Sequence, residues 1–336
     1  MPRLHASITA VALLLPYRFF SFIKKTKKNL RKTPLHPRSL TLTCGLLALL
    51  FTLSGCFQKP ALPALDSLCE PATLFLAPVI PGKAASTEQE LQKDHISLFI
   101  WNSYKGKVDG WLNDLSTLGR NNDLVLLQEA YLKNDLVDFL DESGWNWNIA
   151  TTFRYRAIPT GVLTASKIAA DKHCHLTTME PWIRLPKGIL ISRYKLTNTE
   201  KQLVVANVHL INFTFNTGVY STQLATLKSI LEQHDGPLIV AGDFNTWSSD
   251  RSQLVNTFTT ELRLSPVEFN NNVRTEIFGR KIDHVYSREL TVLSAKSVAV
   301  STSDHNPMIV EFALLDASRR AAGASGQNTV NVVSSP

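Results

Sequence analysis

The sequence predicts a mixed α/β fold for residues 95 to 315, on three observations. Short apolar runs such as Leu124-Val125-Leu126-Leu127 and Leu238-Ile239-Val240-Ala241 have no polar interruption, the pattern of strands buried on both faces. Between the runs, apolar residues recur at helical spacing, as in Val108, Trp111, Leu112, Leu115 and Leu118. Polar residues gather directly after the runs, where the ligand crevice of an α/β sheet lies. Runs alternating with amphipathic stretches are the signature of strands layered against helices.

Taken in order, His95 to Trp101 reads as the first strand and leads into Asn102, with a helix at 108 to 118. Leu124 to Leu127 is the second strand and delivers Gln128-Glu129, followed by a helix from Leu132 to Leu140. Trp145 to Thr151, Gly161 to Ser166, His173 to Thr178 and Gly188 to Tyr194 read as strands with short connections. Leu203 to Leu210 is a strand whose period of two places Asn207 and His209 on one face. Tyr220, Leu224, Leu227 and Leu231 mark a helix that stops before Gly236-Pro237. The strand from Leu238 then presents Asp243 and Asn245 in Gly242-Asp243-Phe244-Asn245, and a helix is expected near Gln253 to Leu262. Lys281 to Tyr286 carries Asp283, and the last strands are expected at Ala295 to Val300 and Met308 to Leu314, with Ser303-Asp304-His305-Asn306-Pro307 between them.

The formal charge of +7 does not describe this domain. Residues 1 to 56 hold nine Lys or Arg and no acid, which leaves 26 of the 35 basic residues against all 28 acidic ones. Net charge therefore gives no support to a phosphate-backbone binder. In the leader, a basic stretch from Lys24 to Arg38 precedes the apolar run Leu40 to Leu53, which ends Leu53-Ser54-Gly55-Cys56. That run is shorter than a spanning helix needs, and the pattern is similar to a bacterial lipoprotein signal with Cys56 as lipid acceptor. The similarity implies attachment to the cell envelope, at the outer membrane where one exists since Phe57 follows the cysteine; a cytoplasmic domain with an unused leader is the alternative. A simple membrane anchor or an ordinary signal peptide fits the same run. Residues 1 to 23 read as an over-extended start, residues 57 to 94 as a proline-rich tether and residues 316 to 336 as a disordered tail. Cys69 and Cys174 remain as two thiols whose pairing the spacing leaves open. The absence of Cys-x-x-Cys and His-Glu-x-x-His argues against zinc.

Strand ends thus offer Asn102, Glu129, His209, Asp243 with Asn245, and Asp304 with His305, and a further strand carries Asp283. Singly, each has a structural explanation: a helix cap, a rim charge, a core histidine or a turn former. Their order and spacing resemble the endonuclease/exonuclease/phosphatase superfamily, through Trp101-Asn102-x-x-x-Gly106, Gln128-Glu129, the strand-borne His209, Gly242-Asp243-Phe244-Asn245, Ile282-Asp283-His284 and Ser303-Asp304-His305-x-Pro307. Within it, Trp247, Gly279-Arg280 and Ser-Asp-His-Asn-Pro look most like the bacterial YafD-like group. The resemblance implies a four-layer α/β/β/α sandwich and hydrolysis of phosphoesters with a divalent cation, Mg²⁺ or alternatively Mn²⁺. It implies Glu129, Asp304 and Asn102 as metal ligands. Asp243 would orient or deprotonate water, Asn245 would donate to the phosphate, His305 would pair with Asp283, and His209 would contact the phosphate. Tyr104 departs from the acidic residue that some superfamily nucleases carry there, which weakens a second metal site. Lys105, Arg280 and Lys281 are candidates for local positive charge.

Expected substrates are nucleic acid, a phospholipid or a small phosphodiester, with the protein a monomer held at the membrane by its lipid. Phe213-Thr214-Phe215 is a candidate apolar rim for a lipid substrate. The competing class is a binding module on the same fold without turnover.

Overall fold

A computed structural model describes Cys69, residues 90 to 214 and residues 216 to 315. The leader with Cys56, most of the proposed tether, Phe215 and the tail lie outside the described residues. Among those described, no helix is long and apolar enough to cross a membrane.

Fourteen strands and four helices are described. They are β1 (Ile96–Asn102), α1 (Trp111–Asp114), β2 (Leu124–Tyr131), α2 (Asn134–Glu142), β3 (Asn146–Tyr155), β4 (Ile158–Ser166), β5 (Lys172–Met179), β6 (Pro186–Lys195) and β7 (Gln202–His209). Then come α3 (Gly218–Leu231), β8 (Leu238–Asp243), α4 (Ser249–Glu261), β9 (Ser265–Pro266), β10 (Glu276–Ile277), β11 (Arg280–Lys281), β12 (Asp283–Arg288), β13 (Leu290–Ser297) and β14 (Met308–Leu314). One six-stranded sheet has the order β13-β14-β1-β2-β4-β3 and the other β5-β6-β7-β8-β12-β9.

Alternate residues of each strand go to different layers, as the two-residue period demands. Ile96, Leu98 and Ile100 of β1 meet Leu203 and Val205 of β7 and Ile239 and Ala241 of β8 in a core between the sheets. Phe99 and Trp101 face outward onto Trp111, Leu115, Leu136 and Leu140. Val204, Ala206 and Val208 face the other way, onto Tyr220, Leu224, Leu227 and Phe258 of α3 and α4. The result is a four-layer α/β/β/α sandwich, and it explains why the runs in β1, β2, β7 and β8 read as continuously apolar.

Several boundaries differ from expectation, and three of them have a clear local cause. α1 is a single turn followed by a π-helical turn at Leu115–Gly119, because it starts only after Gly110 in a left-handed conformation. α2 begins at Asn134 since the Leu132 N–H donates to Pro159 O and prolongs the β2 edge. The penultimate strand is β13 at Leu290–Ser297, not 295 to 300. Val298 N–H turns to Pro307 O and Val300 N–H to the Asn306 side chain, so the chain leaves the ladder to form the loop that carries Asp304 and His305.

Cys69 and Cys174 form a disulfide across 105 positions, tying an otherwise undescribed segment to β5. Closing so long a loop removes much freedom from the unfolded chain. Replacing Cys174 with Ser is expected to lower the unfolding free energy by about 2–4 kcal/mol, read from urea denaturation. Peptide mapping without reductant should recover the Cys69–Cys174 cross-link.

Candidate active site

Register alone assembles the first part of the site. β7 runs parallel to β8 with His209 opposite Asp243, and β12 runs antiparallel to β8 with Asp283 opposite Asp243. Three adjacent strands therefore carry His209, Asp243 and Asp283 in one row, all buried. In the other sheet Asn102 ends β1 opposite Gln128, which puts Glu129 one step beyond it. Asn102 Nδ2 donates to Asp243 Oδ2 at 3.1 Å and joins the two sheets at this edge.

The β13–β14 loop closes over the row. Trp101 Nε1 donates to His305 O at 2.9 Å, and Ser303 Oγ donates to Asn102 O at 2.7 Å. His305 Nδ1 lies 3.0 and 2.9 Å from the two Asp283 oxygens, and His305 Nε2 lies 3.9 Å from Asp243 Oδ2. Burial alone would lower the His305 imidazole, but bonded Asp283, with Asp243 and Asp304 behind it, raises it to about 10. Burial, opposed by His305 and aided by Asp283, pushes the Asp243 carboxyl up to about 7. Asp283 thus favours the charged form of His305, and burial favours the protonated form of Asp243, a pairing suited to proton exchange.

Gly242 lets the backbone reach this geometry. Its φ is 136°, and a Cβ there would lie 2.2 Å from Val208 O. Two site residues sit in the left-handed region as well, Glu129 at φ 53° and Asn245 at φ 51°. Such strain is concentrated at functional positions. Glu129 lies in a register irregularity of the β2–β4 pair between Leu127 and Ala130, so the second strand continues past the residue expected to end it. Asn245 N–H donates to Asp243 Oδ1 at 3.0 Å, and one N–H of its amide donates to Leu210 O at 3.0 Å. That amide therefore orders the backbone, leaving its second N–H for a ligand.

Glu129 is held by cations. Lys105 Nζ donates to its Oε2, and Lys187 Nζ lies 3.8 Å from Oε1 and 2.6 Å from His209 Nε2. Burial would raise the Glu129 carboxyl, but Lys105 and Lys187 hold it well below the ordinary carboxylate range. Burial and the adjacent Lys187 keep His209 neutral, well below the usual histidine range. Asp304, exposed on its loop, is within electrostatic reach of His305, Glu129 and Lys105. Among the described residues, the three His, Cys, Asp or Glu side chains whose donor atoms all lie within 4.8 Å of one another are Asp243, Asp283 and His305, and not Glu129 with Asp304.

Four residues support the site, and of these Arg251, Glu180 and Lys187 escaped the sequence reading, whereas Gln128 was named only as the neighbour of Glu129. Arg251 of α4 is buried and donates to Ile211 O at 2.9 Å, Asn245 O at 3.0 Å and Asn212 O at 2.8 Å. Glu180 accepts the N–H groups of Asn212 and Phe213, so the half-buried Phe213 is held by its backbone. Gln128 Nε2 donates to Asn207 Oδ1 at 2.7 Å between the sheets. Lys187 is the fourth; a single lysine ahead of an apolar strand belongs to no motif and gives no local signal of a site. Arg280, by contrast, is exposed on the hairpin β10–β11, and Lys281 pairs with Glu276 at 3.1 Å, so neither joins the Glu129 cluster.

Arg251→Met leaves three carbonyl oxygens without their donor and is expected to cost about 3 kcal/mol or more. A lowered urea midpoint checks this.

Residues 97 to 305 match the sequence profile of the Endonuclease/Exonuclease/phosphatase family. A UPF0294 protein of Vibrio campbellii is 39% identical over 230 residues, covering 68% of this chain and 81% of that one. A family protein from Bacteroides thetaiotaomicron superposes with a TM-score of 0.53 at 14% identity, over 67% of this chain and 100% of that one. The human Nocturnin catalytic domain, solved with a bound sulfate anion, gives 0.52 at 15%, over 67% and 96%. These two structures share the fold. By that profile, which spans more than half of the chain, the protein belongs to the endonuclease/exonuclease/phosphatase family, whose members act on phosphoester bonds.

Proposed function

We propose that this protein is a divalent-metal-dependent phosphoester hydrolase of phosphodiesterase or nuclease type. The observation that carries the reading is the row His209–Asp243–Asp283 with His305 bonded to Asp283 and facing Asp243.

Attack on a phosphoester needs a water that loses a proton and cations that meet the phosphoryl charge. Asp243, with its carboxyl near 7, takes the proton. His305, whose charged form Asp283 favours, faces the phosphoryl oxygens, which leaves Asp243 as the base. Asn102 orients Asp243, and the second amide N–H of Asn245 reaches a phosphate oxygen. His209, neutral, contacts the phosphate beside them.

Glu129, Asp304 and Asn102 offer oxygen donors only, the preference of Mg²⁺ and Mn²⁺. Glu129 already carries a cation, the Lys105 ammonium, so the site is built to hold positive charge there. This donor set fits a hard divalent ion better than Asp243, Asp283 and His305, whose imidazole is committed to Asp283. A cation held by Glu129, Asp304 and Asn102 would supply several kcal/mol of charge stabilisation.

The same reading makes the chain a YafD-like protein that acts as a monomer from the envelope, anchored through lipid on Cys56. A Cys69–Cys174 disulfide suits an oxidising compartment and supports export. Metabolic labelling with palmitate is expected to mark the wild-type chain and not Cys56→Ala; equal labelling, or none, removes the anchor.

Activity is tested with bis-p-nitrophenyl phosphate, p-nitrophenyl phosphate, plasmid DNA and sphingomyelin, with Mg²⁺, Mn²⁺ or EDTA. Turnover is expected to vanish in EDTA and to fall about 10²–10⁴-fold in Asp243→Asn; Glu129→Gln should weaken the metal requirement's half-saturation by at least tenfold. EDTA-resistant turnover removes the metal, and a folded chain inert on the whole panel favours the binding module.

A further inference from the structure

Lys187 sits at the start of β6 with its side chain only 13% exposed, beside two groups that do not satisfy it. Its near acceptor is His209 Nε2 at 2.6 Å, while its carboxylate partner, Glu129 Oε1, stands at 3.8 Å. Lys105 already occupies the other Glu129 oxygen. Two ammonium groups thus face one carboxylate at close range, while Asp243 and Glu180 act on Lys187 only electrostatically. A lysine kept only as a structural counter-ion would have the carboxylate, not a neutral ring nitrogen, at hydrogen-bond distance.

His209 Nε2 is contested as well, because it also lies 3.3 Å from Asp243 Oδ2. One ring nitrogen cannot accept from an ammonium and donate to a carboxylate at the same time. If Lys187 donates to it, the Asp243 oxygen faces a lone pair; if His209 donates to Asp243, the ammonium faces an N–H. In the first case Asp243 keeps its Asn102 donor, and in the second the ammonium keeps only Glu129 Oε1 at 3.8 Å, so the contact to His209 is the frustrated one. An anionic oxygen beside them resolves the conflict by drawing the ammonium off the ring nitrogen, since the 2.6 Å contact itself leaves no room for an atom between the two. It accepts from the ammonium, and it lies next to Asp243, where a water would be activated.

We propose that Lys187 and His209 form a binding site for a non-bridging phosphoryl oxygen, with Lys187 as the catalytic residue that takes its charge. The assignment rests on the phosphoester reading for its role in turnover, and the ligand class is a tetrahedral oxyanion. Lys105 remains the counter-ion of Glu129, so the two lysines have separate tasks.

The test is calorimetric titration of the purified full chain with inorganic phosphate in EDTA, beside Lys187→Met and Lys187→Arg. Loss of one charge-assisted contact should weaken phosphate binding about tenfold or more in Lys187→Met. Lys187→Arg should recover most of it, and the thermal midpoint of Lys187→Met should be unchanged or raised. With bis-p-nitrophenyl phosphate and Mg²⁺, kcat/KM should fall in Lys187→Met and return in Lys187→Arg. Wild-type-like phosphate binding in a folded Lys187→Met, an Arg variant no better than Met, or no phosphate binding by the wild type at tens of millimolar overturns the site. Should Lys187→Met not fold, phosphate titration of ¹⁵N-labelled wild type decides: movement of the His209 ring nitrogens supports the site, and their constancy overturns it. Binding is read without turnover, so a chain that binds phosphate through Lys187 but hydrolyses nothing defeats the hydrolase reading and leaves this site standing.

Discussion

The site depends on keeping one carboxylate, Asp243, buried at the seam between two sheets. Burying an unpaired charge is costly, so the surrounding chain is arranged to supply partners. Asn102 reaches it from the opposite sheet, Asn245 N–H from the next turn, and His209 and His305 lie at 3.3 and 3.9 Å. None of these removes the desolvation, and the carboxyl remains high. The strained Gly242 backbone and the close approach of Val208 O are the local consequences of holding it there.

Charge is distributed in two sectors. Around Asp243 the chain places two carboxylates and one charged imidazole; around Glu129 it places one carboxylate and two ammonium groups. His209 lies between them, in contact with Lys187 on one side and Asp243 on the other. An acidic sector suited to proton transfer thus adjoins a cationic sector suited to anionic oxygen, a separation that a phosphoester reaction uses. The overall charge of the chain conceals this, because its excess of lysine and arginine lies in residues 1 to 56.

The loops at this edge are held by backbone-directed bonds. Arg251 gathers the chain after β7 and after β8 through three carbonyls, and Glu180 secures Asn212 and Phe213 through their N–H groups. Such contacts keep irregular backbone in place without regular structure to satisfy it. They also link the aromatic side of the mouth, since Asn212 accepts from Trp247 Nε1 and Trp247 meets Phe278 edge-on.

Periodicity and motif order determined a good deal without coordinates. Uninterrupted apolar runs at Leu124 and Leu238 marked strands covered on both faces, and strand ends together with motif order named Asn102, Glu129, His209, Asp243 and His305 as site candidates. These are local properties, written in consecutive residues. Tertiary structure alone decided the β-bulge that turns Glu129, the pairing of Lys187 with His209 across 22 positions, the burial of Arg251 under two loops, and the Cys69–Cys174 link. Each depends on strand register or on a partner distant in sequence, and register is set by packing between sheets, which no local pattern of residues records.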